Sequence, residues 1–271
     1  MISPLTLTIL VICVIVAGAA IAFPYLQIHK RSSNLETGLP GAFCYGALGY
    51  LWSYLFYMFV GAMLLRIGFF KQNTGTMVTL QVILTLASTG LTALAIFWGI
   101  YLTNQKAVSM YRSVAVGTGF AFGKIASDLL YPYIYSFYLG LKINAGATGI
   151  DEKVRQSIIT TTNGSLVSGT IKCILMTIFI ILIAIYMGHY YTNKMPKQSY
   201  IVGVIIYETL MIINLIISNL LDGTPKDVVL IIIYAILAAL VMPVILTWFN
   251  EGKVENPIVL FERMKNGNNK A

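Results

Sequence analysis

The chain has 271 residues, of which 58% are hydrophobic and only 10% are charged, and its mean hydropathy is +0.80. A soluble domain carries about 25% charged residues, so this composition excludes an ordinary soluble domain. The net charge of +8 comes from basic residues scattered over short loops and the C-terminal tail. Because they form no stripe or patch, we expect no nucleic-acid partner.

Long apolar runs recur along the chain, and each is long enough to cross a bilayer as a helix. They predict an all-α, polytopic membrane protein with about seven transmembrane helices and a lipid bilayer as its first partner. Residues 1–250 would form one transmembrane domain, and 251–271 a short cytoplasmic tail. The first run lacks a basic leading segment and is too long for a signal peptide, so we expect it to be retained. The predicted spans are Leu5–Ile28, Gly41–Leu65, Met77–Thr103, Ser113–Leu141, Ser165–Tyr190, Tyr200–Leu221 and Val228–Phe249.

Loop charges predict the orientation of these spans. With the N-terminus outside, the cytoplasmic segments and tail hold ten Lys and Arg residues and the external segments hold six. The positive-inside rule therefore favours an external N-terminus and a cytoplasmic C-terminus. Short loops and the absence of a eukaryotic targeting signal favour a bacterial cytoplasmic membrane.

An ionisable pair lies inside the fourth predicted span. Lys124 and Asp128 are four residues apart, so their side chains share one face of a helix and can pair. An ionisable residue at membrane depth indicates a functional site. Glu208, in the sixth span, is the other carboxylate that we assign to a span, and it could pair with Lys124 instead. Both carboxylates could also serve Lys172, in the fifth span. The polar spot could be a structural ion pair, a path for a solute or ion, or a contact with a partner's helix.

Two further features surround this pair in the sequence. Gly117, Gly119 and Gly123 are small residues at helical spacing, and such residues let membrane helices approach closely. Tyr131 begins a cluster of tyrosines, which is typical of an aromatic belt at the membrane interface or of the polar wall of a cavity.

No catalytic or metal-binding motif accompanies the pair. The two histidines, His29 and His189, have no ligand or carboxylate partner at a suitable spacing, and a zinc site needs three or four ligands. We therefore predict no metal, no cofactor and no assigned catalytic residue. Asp128 and Glu208 are the two carboxylates that could share general acid–base work.

Three stretches resemble the YhfC-type family of intramembrane peptidases, which are relatives of the glutamic CAAX-processing and bacteriocin-processing membrane proteases. FPYLQIHKR at residues 23–31 is similar to the end of the family's first helix and its basic loop. The Gly-Ala start and Arg-Ile stop of residues 41–70 resemble the second helix. INAG at residues 143–146 resembles an Asn-rich element after the fourth.

The resemblance implies that the chain has the family's fold but lacks its catalytic glutamates and histidine. The family's Gly-x-x-Glu-Glu-x-x-Arg element corresponds to residues 99–106, where Leu102 and Thr103 replace the two glutamates. Its Gly-x-Gly-His-Gly-x-x-Glu element corresponds to residues 117–124, where Phe120 replaces the histidine and Lys124 the glutamate. Leu and Phe can neither activate water nor polarise an amide. The chain is thus identified as a degenerate member of the family.

Three functions remain open. The leading hypothesis is a catalytically inactive protein that binds another integral membrane protein or a peptide, as part of a membrane complex. Its polar centre would be Lys124 and Asp128, with Phe120 and Tyr131 as walls. The second is a permease-like subunit that works with a separate ATPase. The third is an active protease that uses Asp128 and Glu208.

Overall fold

The computed structural model describes residues 2–32, 38–66, 74–105, 109–221 and 223–251. These residues form helices and no strand, which confirms the all-α class. The C-terminal tail, 252–271, lies outside the described residues. The helices are α1 Pro4–Arg31, α2 Leu39–Leu65, α3 Thr74–Thr103, α4 Met110–Ile125, α5 Tyr131–Asn144, α6 Glu152–Thr160, α7 Asn163–Thr192, α8 Pro196–Leu220 and α9 Gly223–Glu251.

Six of the described helices are long and apolar enough to cross a membrane, and they correspond to six of the seven predicted spans. They are α1, α2, α3, α7, α8 and α9. The fourth predicted span is divided into α4, a π-helical turn at Ala126–Leu130, and α5. The polar segment after it contains a short helix, α6, that the hydrophobic pattern did not predict because α6 is largely exposed.

The π-helical turn has a local cause in the sequence. Pro132 follows it, and a proline ring in a regular helix collides with the carbonyl four residues earlier, here that of Asp128. The wider turn, in which the N–H of Tyr131 donates to the carbonyl of Ala126, accommodates the ring without breaking the helical path. The segment from α4 to α5 therefore continues in one direction.

α4 is the central helix of the fold. It packs against α1, α2, α3 and α7, and every side chain from Ser113 to Ala121 is buried. Its glycines make this possible: a Cβ atom on Gly119 would overlap the carbonyl oxygen of Phe43 in α2, and one on Gly117 would overlap Ala184 in α7. Close backbone contact of this kind is how membrane helices gain packing energy without a hydrophobic drive.

The segment α4–α5 runs antiparallel to α1 along most of its length. Near one end, the amide of Asn144 is bonded to both backbone groups of Ile2. In the middle, Ala17 and Ile21 of α1 pack in one cluster with Ile125 and Leu129. Residues 124–129 thus lie level with the middle of α1, a helix about 42 Å long at 1.5 Å per residue.

Candidate functional site

Lys124, near the end of α4, forms an ion pair with Asp128 of the π-helical turn. Lys124 Nζ lies 2.7 Å from Asp128 Oδ2, which settles the partner that the sequence left open between Asp128 and Glu208. Tyr50 of α2 donates its hydroxyl to the other carboxylate oxygen, Oδ1, at 3.1 Å. The carboxylate is thereby held from two sides, by a cation on its own helix and by a neutral donor on the neighbouring one.

An open cavity of about 230 Å³ gives access to this pair, and we call it the polar cavity. The Lys124 and Asp128 side chains remain 22% and 35% exposed. Phe120 forms part of the wall and meets the Tyr50 ring edge to face. Its lining residues come from α2, α3, α4, α8 and the π-helical turn, and are Tyr50, Ser53, Tyr54, Tyr57, Ser88, Thr92, Phe120, Lys124, Asp128, Tyr207 and Met211.

Two polar stripes, one on α2 and one on α3, supply six of the residues that line the cavity. Residues 50, 53, 54 and 57 of α2 are Tyr, Ser, Tyr and Tyr, and residues 85, 88, 89 and 92 of α3 are Thr, Ser, Thr and Thr. Both sets have the spacing i, i+3, i+4, i+7, which places them on one face of a helix. Sequence reasoning missed both stripes because they carry no charge, although their period was visible in the apolar runs.

The predicted site residues are only partly brought together. Phe120 lines the polar cavity with Lys124 and Asp128, whereas Tyr131 lies outside it, 70% exposed and stacked on Tyr135. The expectation that Tyr131 forms a wall is therefore corrected. Tyr131 begins α5, beyond the π-helical turn, while Tyr50 of α2 supplies the tyrosine at the pair.

Glu208 lies beside the polar cavity without lining it. Its neighbour Tyr207 contributes to the wall, and its own carboxylate accepts a long hydrogen bond of 3.4 Å from the Thr89 hydroxyl of α3. The same hydroxyl proton is also within reach of the carbonyls of Thr85 and Leu86 in its own helix, so Glu208 competes with them for it.

A second ion pair joins α7 to α9. Lys172 Nζ lies 2.5 Å from Asp227 Oδ1, and both side chains are about as exposed as those of the first pair. Assigning only Asp128 and Glu208 to spans was therefore wrong. The seventh span was begun at Val228, but α9 starts before Asp227 and carries it inside the helix.

The two stretches that resemble the peptidase elements lie on neighbouring helices. A Cβ on Gly99 of α3 would approach the Val116 side chain of α4 at 2.6 Å. However, Leu102 lines a separate apolar cavity, and Thr103 directs its hydroxyl to the carbonyl of Gly99. The positions of the family's paired glutamates therefore do not share the cavity that holds Phe120 and Lys124.

No family model, curated protein or solved structure matches the chain. Its fold and site define it as an α-helical, multi-pass membrane-type protein with a polar cavity at the middle of its helices.

Proposed function

We propose that this chain binds a segment of another integral membrane protein in the polar cavity, as a non-catalytic subunit of a membrane complex. The observation that carries the proposal is the accessible Lys124–Asp128 pair beside the middle of α1. Hydrocarbon offers no hydrogen bonds, so an open ion pair at membrane depth is costly until something polar covers it. A partner's polar group would remove that cost.

The central segment from α4 to α5 would be the seventh crossing. Its middle lies level with the middle of α1, and α7 runs antiparallel to it, from Tyr133 near Gly169 to Ser113 near Gly188. An odd number of crossings places the two termini on opposite sides of the membrane. The loop and tail charges of the sequence, ten basic residues on the side of the C-terminus against six on the other, would then favour a cytoplasmic C-terminus.

Epitope tags at the two termini test this topology. The cells are first stripped of their cell wall, with the membrane left intact. We expect antibody to reach the N-terminal tag on these cells, and to reach the C-terminal tag only after the membrane is permeabilised. Tags that are both accessible, or both protected, on intact cells would contradict seven crossings.

The chemistry of the wall indicates what kind of group would bind. Ser53 and Ser88 donate their hydroxyl protons to carbonyls of their own helices, so their oxygens remain free to accept. Lys124 uses one of three N–H groups on Asp128 and can donate further. A group that both donates and accepts fits this wall best, such as an Asn or Gln side chain on a partner's transmembrane helix.

The same residues support binding without peptidase chemistry. If the chain descends from the peptidase family, Phe120 stands at the histidine position and Lys124 at an acidic one. The remaining carboxylate of the cavity, Asp128, is engaged by Lys124 and Tyr50 rather than poised beside a histidine. The scaffold would thus serve as a docking groove.

Affinity purification from the native membrane in mild detergent tests the proposal. We expect a stoichiometric membrane protein to accompany the tagged chain, and to be lost at least tenfold in the double variant Lys124→Met/Asp128→Leu. The matched control is Lys172→Met/Asp227→Leu, which removes a second Lys–Asp pair of similar exposure among the described residues. Equal recovery of the partner with both double variants would contradict binding at the polar cavity.

A further inference from the structure

A second cavity lies at the opposite side of α3, near the end of the bundle where α7 ends and α8 begins. It has a volume of about 480 Å³, within the range of about 300–1,000 Å³ that small-molecule sites occupy. We call it the Lys194 cavity. It is lined by Phe97, Trp98, Tyr101, Tyr191, Lys194 and Pro196.

The cavity lies at the ends of helices that are long and apolar enough to cross a membrane. α3 and α7 end beside it and α8 begins there, so in a membrane crossed by these helices its aromatic side chains would stand where hydrocarbon gives way to headgroups. Tryptophan and tyrosine are enriched at that depth. Trp98 also lines a separate apolar cavity of about 320 Å³ between α2 and α3. Apolar surface therefore lies on both sides of Trp98, away from the lysine.

Lys194 is held over this cavity by an unusual backbone conformation. Its φ is +62°, in the left-handed region, and among the described non-glycine residues it alone has a positive φ. It closes α7 through bonds from Lys194 N to Tyr191 O at 3.1 Å and from Met195 N to Tyr190 O at 2.9 Å. Glycine is the usual residue at such a helix end. The chain therefore carries a lysine at a position where glycine would suit the backbone better.

Charge complementarity identifies the occupant. Residues 193–203, which form this turn and the first two turns of α8, contain Lys194 and Lys197 as their charged residues and no acidic residue. We infer that the Lys194 cavity binds an anionic phospholipid, with its phosphate at Lys194 and an acyl chain along the aromatic wall. Lysines near a membrane surface attract anionic lipids in this way. This inference does not depend on what the polar cavity binds.

Native mass spectrometry of the purified protein tests the inference, with phosphatidylglycerol and phosphatidylcholine added separately to the detergent. We expect phosphatidylglycerol to be retained several-fold more than phosphatidylcholine. Lys194→Gly should abolish that preference while the melting temperature stays the same or rises, because glycine relieves the left-handed backbone. Trp98→Ala should lower retention of both lipids.

The control is Lys142→Gln, which removes a lysine stacked over Tyr138 at the other end of the bundle and should leave the preference intact. Equal retention of both lipids, or an unchanged preference in Lys194→Gly, would overturn the inference. The inference would also be overturned if inorganic phosphate raised the melting temperature of the protein as much as phosphatidylglycerol does. That result would show an anion site that needs no acyl chain.

Discussion

Replacement of Gly119 by leucine is expected to prevent the chain from folding into a monodisperse protein. A Cβ at Gly119 would overlap the carbonyl oxygen of Phe43, and one at Gly46 would overlap the carbonyl oxygen of Val116. Both obstacles are backbone atoms, which cannot rotate away. Ordinary overpacking costs about 1–3 kcal/mol, and we expect at least the upper end of that range here. The measurement is size-exclusion chromatography of a fluorescent fusion after heating.

The control positions are glycines of α2 that lie outside its contact with α4. Like Gly46, Gly41 and Gly61 are in α2, but a Cβ on either would meet nothing within 4 Å. Gly41→Ala and Gly61→Ala should therefore leave the melting temperature unchanged or raise it, because alanine favours the helix over glycine. A Gly119→Leu protein that elutes and melts like the wild type would show that α2 and α4 do not pack as described.

Substitution of Asp128 by leucine alone is expected to destabilise the protein more than substitution of both members of its pair. The single change leaves the Lys124 ammonium at the middle of the helices without its carboxylate, and leaves the Tyr50 hydroxyl without its acceptor. Breaking a buried pair costs about 3–5 kcal/mol, whereas replacing both partners by apolar residues is often close to neutral. Because the two side chains are partly exposed, we expect a coupling energy on the order of 2 kcal/mol.

A double-mutant cycle measures this coupling. The four proteins are the wild type, Lys124→Met, Asp128→Leu and the double variant, unfolded by denaturant in the same detergent. The double variant should be more stable than Asp128→Leu alone. Additive effects of the two single changes would mean that the pair contributes no interaction free energy, and that the two side chains are solvated separately.

The membrane class and the helix positions could be predicted from the sequence because apolar length is a strong signal. α7, for example, extends only two residues beyond its predicted span at each end. The pairing of Lys124 with Asp128 was also accessible, since residues four apart share a helix face. The division of the fourth span was not predicted, although Pro132, four residues after Asp128, was the signal for it.

The walls of the site depended on contacts between helices that are distant in the sequence. Tyr50 reaches Asp128 across 78 residues, and nothing in the local pattern of α4 points to α2. The polar stripes of α2 and α3 could have been found by their helical period, but not the fact that they face the same cavity. Asp227 was missed because its span was begun one residue too late, at the first aliphatic residue.

Site-specific photo-crosslinking in the native membrane tests the central claim most directly. A photoreactive amino acid would replace Tyr57, which lines the polar cavity and is 38% exposed. The control position is Phe23 on α1, which is 65% exposed outside that cavity. We expect a discrete protein adduct from position 57 that disappears in Lys124→Met/Asp128→Leu, and none from position 23. Lipid adducts alone at position 57, or the same protein adduct from both positions, would contradict the assignment of the polar cavity as the binding site for a membrane partner.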